Sequence, residues 1–173
     1  MEVHVAGLTH LGVGLASKRI VPKVPLPVLI VAAYAIDIVW GVFFALGVEQ
    51  YPGAAPVEPS PWSHGLFMSV VWSLLGALIA WLASRNARTS AFIGLLVFSH
   101  WVVDWIAKPM LSAFPNDVGL PLLFAGSPLV GLGLWSNPVL VAIGEYGVTL
   151  VGAVLYVLTL AKLRRERRAV APA

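Results

Sequence analysis

Cysteine is absent from the 173 residues. Disulfides, thiolate metal sites, iron–sulfur clusters and a cysteine nucleophile are therefore excluded, and any metal must be held by His, Asp or Glu. Charge is also scarce, with 11% of residues charged against 59% hydrophobic. At a mean hydropathy of +0.88, a chain of this size could not keep its apolar surface dry as a soluble globule. Although the net charge is +3, the basic residues stand at the ends of apolar runs rather than in a groove-lining patch, so no nucleic-acid partner is expected. A dinucleotide site also lacks support. The GVG at Gly12–Gly14 and the GLG at Gly131–Gly133 have neither the strand nor the following acid of that fingerprint, and they read as close helix packing. The basic pair Lys18 and Arg19 follows the first apolar run instead of preceding it, so the N-terminus is not expected to be a cleaved signal.

What is present is a set of apolar runs. Residues 25–47, 62–83, 89–107 and 138–161 each supply the ~20 residues needed to cross a hydrocarbon core. A shorter run, 3–17, suits a short span, a re-entrant helix or an interfacial helix. The expected fold is an all-α integral membrane protein: residues 1–173 as one domain, a compact bundle of four long transmembrane helices plus a short N-terminal helix, in contact with the lipid bilayer. Loop charge sets its orientation. Lys18, Arg19, Lys23, Arg85, Arg88, Lys162, Arg164, Arg165, Arg167 and Arg168 fall on one side, which predicts a cytoplasmic basic tail at 162–173. Lys108 falls on the other side with Glu49, Glu58 and Asp117. That outer face comprises 48–61 and 108–137, both rich in Pro and Gly, and the segment LPLLFAGSPLVGLGLW is apolar enough to dip back as a lid. Trp62, Trp105 and Trp135 fall near this interface, where anchoring is the ordinary role of an indole.

Against this background the ionisable residues inside the spans stand out: Asp37, His64, His100, Asp104 and Glu145. A charge at mid-membrane costs several kcal/mol and is expected to face a partner or a cavity. His100 and Asp104 are one helical turn apart and share a face. With the orientation given, all five fall in one layer at or above mid-membrane. His10 joins them if the short first helix inserts, whereas His4 is too near the terminus. Three imidazoles and three carboxylates suit one or two divalent ions, Zn²⁺ first, with Mn²⁺, Fe²⁺ or Mg²⁺ as alternatives. Glu145 or Asp37 is the candidate general base for water activated by such a metal. The competing structural reading is interhelical hydrogen bonding, including a metal-free Asp37–His100 pair. Ser63 and Ser99 read as caps or backbone partners rather than nucleophiles, and Tyr34 and Tyr146 as packing or supporting donors.

In order along the chain, THLGVGL (9–15), AIDIVW (35–40), PWSHGLF (61–67), SHWVVDW (99–105), GLGLW (131–135) and GEYG (144–147) resemble a family of bacterial inner-membrane proteins described as metal-dependent hydrolases, relatives of the LexA-binding inner-membrane hydrolases. The His and Asp pattern is more distantly similar to zinc-dependent phospholipase C. The resemblance implies His10, Asp37, His64, His100, Asp104 and Glu145 as metal ligands, and a lipid-like ester or phosphoester substrate at the outer face. One position departs from it: where relatives often carry a further His one turn after the HxxxD acid, this chain has Lys108, an ammonium suited to binding phosphate. The alternatives to a hydrolase are a proton- or cation-coupled transporter and a subunit of a membrane complex using the same buried acids and histidines.

Overall fold

The computed structural model describes residues 7–50, 59–124 and 126–170. His4, Glu58 and the start of the first apolar run lie outside the described residues. The longest helices begin and end where local chemistry requires. Helix α4 (Leu66–Ser84) closes at Arg85, whose φ of 52° gives the left-handed turn. Helix α5 (Ala87–Ala107) opens at Asn86, whose side chain accepts from Thr89 N at 2.9 Å. The two pack along each other as an antiparallel pair. Asn137 caps the last helix in the same way, accepting from Val139 N at 2.9 Å with Pro138 at the first helical position. That helix comprises α6 (Pro138–Ala142), a π-helical turn (Ile143–Gly147) and α7 (Val148–Val170). Of the tail expected at 162–173, residues 162–170 continue α7 as helix.

These three helices are long and apolar enough to cross a membrane. Their outward faces carry large apolar side chains such as Leu74, Leu95 and Leu150, each about two-thirds exposed. Water does not favour such a surface, whereas lipid does.

The expected first long span differs. Residues 25–47 form α2 (Leu26–Ala33) and α3 (Ala35–Ala45), bent by 59°. The described bundle therefore has three long helices and a bent pair, not four long helices. No Pro or Gly marks the break. Tyr34 takes it up at φ −99° and ψ 7°, with its hydroxyl donating to Gly7 O at 2.7 Å. Tyr34 N to Ile30 O and Ile38 N to Tyr34 O flank the bend, and the Ala33 carbonyl between them is left for a side-chain donor.

Helix α1 (Leu8–Ser17) spans only about 15 Å at the usual rise, and it packs inside the bundle against α7 and α2. Its contact with α7 is backbone on backbone, since a Cβ at Gly152 would stand 2.1 Å from Gly12 O. Gly12 of the GVG therefore serves close helix packing. The apolar outer segment adds a small departure from an all-α fold: β1 (Leu120–Pro121) pairs antiparallel with β2 (Leu129–Val130). This hairpin sits on the start of α4 through Phe67 N to Leu122 O, 3.1 Å, and Leu120 joins the core of Leu29, Ile36, Leu96, Val97 and Trp101.

Candidate metal centre

Four elements bring the polar layer together. α1 carries His10, α3 carries Asp37, the turn before α4 carries His64, and α5 carries His100 and Asp104. They meet at the end of the α4–α5 pair opposite Arg85. His10 Nε2 lies 3.3 Å from Asp104 Oδ1, while His64 Nε2 and His100 Nε2 each lie 3.4 Å from Asp37 Oδ1. The second oxygen of Asp104 stands 3.6 Å from His64 Nε2 and 4.0 Å from His100 Nε2. The His10 and His100 rings stack at 3.7 Å with an interplanar angle of 6°. Two overlapping groups could each hold a metal ion, His10–His100–Asp104 and Asp37–His64–His100.

Hydrogen bonds on the far side of two imidazoles decide which nitrogen faces inward. His100 Nδ1 lies 2.9 Å from Ala33 O, the carbonyl exposed by the bend. A carbonyl only accepts, so Nδ1 carries a proton, and in the neutral ring Nε2 presents its lone pair. For His64 the chain is longer. Glu49 Oε1 accepts from Trp62 N at 2.8 Å and Ser63 N at 3.0 Å, and Glu49 Oε2 accepts from Ser63 Oγ at 2.6 Å. The one hydroxyl proton of Ser63 is thus committed to Glu49. The 2.8 Å contact from His64 Nδ1 to Ser63 Oγ then has Nδ1–H as its donor. Both Nε2 atoms point lone pairs at the acids, as imidazoles held by outer partners do around a metal.

The spacings are compatible with a shared cation. Donor–acceptor distances in good N–H···O bonds are ~2.7–3.2 Å, shorter than every imidazole–carboxylate separation here. Ligand atoms ~2.0–2.1 Å from a tetrahedral ion stand about 3.4 Å from one another. Separations of 3.3, 3.4 and 3.4 Å are near that figure, and those of 3.6 and 4.0 Å are wider. His100 Nε2 is buried without a hydrogen-bond partner, an arrangement that burial penalises unless a cation is taken up. Among the described residues, neither Asp37 nor Asp104 forms an ion pair with Lys or Arg. The donor set fits a divalent ion, held either by His10, His100 and Asp104 or by Asp37, His64 and His100.

Glu145, expected as a ligand or base, has another task. Its Oε1 accepts from Gly7 N at 2.7 Å, and its Oε2 accepts from Thr9 N at 2.7 Å and Thr9 Oγ1 at 3.1 Å. Both oxygens thus satisfy the amides that α1 leaves open at its N-terminus, and the negative charge sits at the positive end of the helix dipole. It joins neither ligand group. It positions His10 by fixing the helix that carries it. Ser99 donates to Leu96 O at 2.6 Å, which agrees with a backbone partner and not a nucleophile. Tyr146 points outward at 62% exposure.

Beside the layer opens a cavity of about 320 Å³ lined by His10, Asp37, His64, Asp104 and Lys108 on its polar side, with Trp40, Met110, Phe114 and Trp135 among its other walls. Trp135 is therefore a wall, buried against Gly144, rather than an interfacial anchor.

Glu49 and Ser63 are the functional residues that pattern reading overlooked in this role. Glu49 lies 14 residues before Ser63, across a Pro-rich loop, and nothing in that spacing signals contact. Replacing Glu49 with Gln puts an amide donor beside Ser63 and removes the fixed direction of the Ser63–His64 chain. Metal titration calorimetry is expected to show about 10-fold weaker binding with unchanged helical content. Wild-type affinity in this variant would reduce Glu49 to a loop brace.

No family model, curated protein or solved structure matches the chain.

Proposed function

We propose that the chain is a membrane-embedded, metal-dependent hydrolase that cleaves a lipid-like ester or phosphoester. The observation that carries this reading is the convergence of three imidazole nitrogens and two carboxylates, at ligand spacing, on the wall of an open cavity. Zn²⁺ is the ion of choice for so nitrogen-rich a set. Because an imidazole nitrogen has one lone pair and His100 belongs to both groups, a single ion is favoured. When bound, such an ion lowers the pKa of water toward neutrality and stabilises negative charge on oxygen.

The chain's own residues supply the rest. Asp37 is the acid that cavity water can reach, its side chain 40% exposed against 7% for Asp104. Its Oδ1 faces the imidazoles, and the other oxygen takes the proton of the attacking water and returns it to the departing alcohol, while the hydroxyl goes to the acyl or phosphoryl group. The apolar walls take the non-reacting part of the substrate and exclude bulk water. Positive charge at the Arg85–Arg88 turn and in the 162–168 stretch orients both toward the cytoplasm. This leaves the cavity facing the outer side of a bacterial inner membrane, the setting of the hydrolases that the motifs resemble.

A transporter needs polar groups at several depths, and the candidates between the layer and the basic end are already engaged. Ser73 Oγ donates to Ser69 O at 2.6 Å and Thr149 Oγ1 to Leu8 O at 2.7 Å. This favours a one-sided site. Zinc-loaded protein in micelles is expected to hydrolyse chromogenic ester or phosphodiester probes, losing about 100-fold or more in rate with Asp37→Asn, the scale of general acid–base catalysis. Asp37-dependent cation flux in proteoliposomes without any hydrolysis would replace this reading with transport.

A further inference from the structure

We propose that Lys108 is the anion-recognition residue of this cavity, and that the group it receives is a phosphate, which makes the substrate a phosphoester and not a carboxylic ester. The inference rests on the hydrolase reading for the word substrate, but the binding of phosphate can be tested separately.

Lys108 is 8% exposed and lines the same cavity as His10, Asp37, His64 and Asp104. Among the described residues its ammonium has neither an ion-pair nor a hydrogen-bond partner, although it is near enough to Asp104 and His64 to act on both electrostatically. The side chain is largely buried and its ammonium faces the cavity, so an anion entering there meets a positive charge that no protein carboxylate neutralises by direct contact. The position is also held firmly. Lys108 follows Asp104 by one turn at the end of α5, with its N–H on Asp104 O at 2.7 Å. Its own carbonyl accepts from Gly133 N at 2.8 Å, and a Cβ at Gly131 would stand 2.0 Å from that oxygen. The two glycines of GLGLW thus let the outer loop clamp the backbone from which the ammonium projects.

Charge balance selects the ligand. Two carboxylates neutralise one divalent ion, and Lys108 then leaves the cavity with one positive charge in excess. An uncharged carboxylic ester offers nothing to that excess, whereas a phosphodiester brings one negative charge and a monoester up to two. A lipid headgroup and a water-soluble phosphoester share this chemistry, and the apolar walls Trp40, Met110, Phe114 and Trp135 provide for an apolar tail.

The test is equilibrium calorimetry on zinc-loaded, detergent-solubilised wild type, Lys108→Met and Lys108→Arg, with metal content measured on each. Inorganic phosphate is expected to bind wild type, to bind the Met variant about 10- to 100-fold more weakly, and to recover most of its affinity in the Arg variant. Tighter binding of dihexanoyl phosphatidic acid than of inorganic phosphate identifies a lipid headgroup, and equal binding a soluble phosphoester. Both outcomes support the assignment. Metal-loaded wild type that ignores phosphate, or a Met variant that binds it like wild type, overturns the assignment while leaving a carboxylic-ester hydrolase standing. Phosphate binding through Lys108 with no hydrolysis of any probe instead keeps the site and removes the enzyme.

Discussion

Asp104→Asn is expected to lower divalent-metal affinity at least about 100-fold, the upper end of what even outer-sphere partners cost, while helical content stays at the wild-type level. Asp104 is singled out because it uses both oxygens. Oδ1 faces His10 at 3.3 Å and Oδ2 faces His64 at 3.6 Å, so one carboxylate ties α1 to the turn before α4 across α5. The amide of Asn carries no charge and replaces one acceptor by a donor aimed at an imidazole lone pair. Equilibrium dialysis against zinc, with circular dichroism as the folding control, separates loss of a ligand from loss of fold. Retained affinity in a folded Asp104→Asn protein would assign the imidazole–carboxylate contacts to structure alone.

Glu145→Ala is expected to produce the largest loss of stability, about 3–5 kcal/mol, read as thermal unfolding in micelles. The buried amide of Thr9, the half-buried amide of Gly7 and a threonine hydroxyl lose a charged acceptor together. Helix α1 then has an unsatisfied N-terminus inside the bundle, and His10 loses its anchor. Glu145→Gln keeps one acceptor oxygen and should fall about halfway between. His10→Ala gives the contrasting result: weakened metal binding with little change in unfolding. If Glu145→Ala unfolded like wild type yet lost metal, the carboxylate would be a ligand and not a cap.

The polar layer was legible because the chain has so few ways to place charge in an apolar run. His10, Asp37, His64, His100 and Asp104 were each marked by the mismatch between side chain and surroundings, and the structure brings them together. The same signal marked Glu145, but burial alone does not say which group a carboxylate meets. Its partners are backbone amides some 136 residues away, and backbone amides leave no trace in residue identity. Glu49 was hidden for the opposite reason, since a glutamate in a Pro-rich loop needs no explanation by composition. The bend at Tyr34 was invisible because AAYAID carries no helix breaker. It follows from tertiary bonds, the Tyr34 hydroxyl on Gly7 and the Ala33 carbonyl on His100, which outweigh the local preference for a continuous helix. That same bend sets the tautomer of His100, so the feature that pattern reading missed in the fold is the one that prepares the site.

Elemental analysis of the purified, detergent-solubilised protein tests the metal centre most directly, with His100→Ala alongside because His100 belongs to both ligand groups. About one divalent transition metal per chain in wild type is predicted by the shared-ligand geometry, with near-complete loss in the variant. A folded wild type that contains no divalent metal and takes none up on zinc titration would contradict the account.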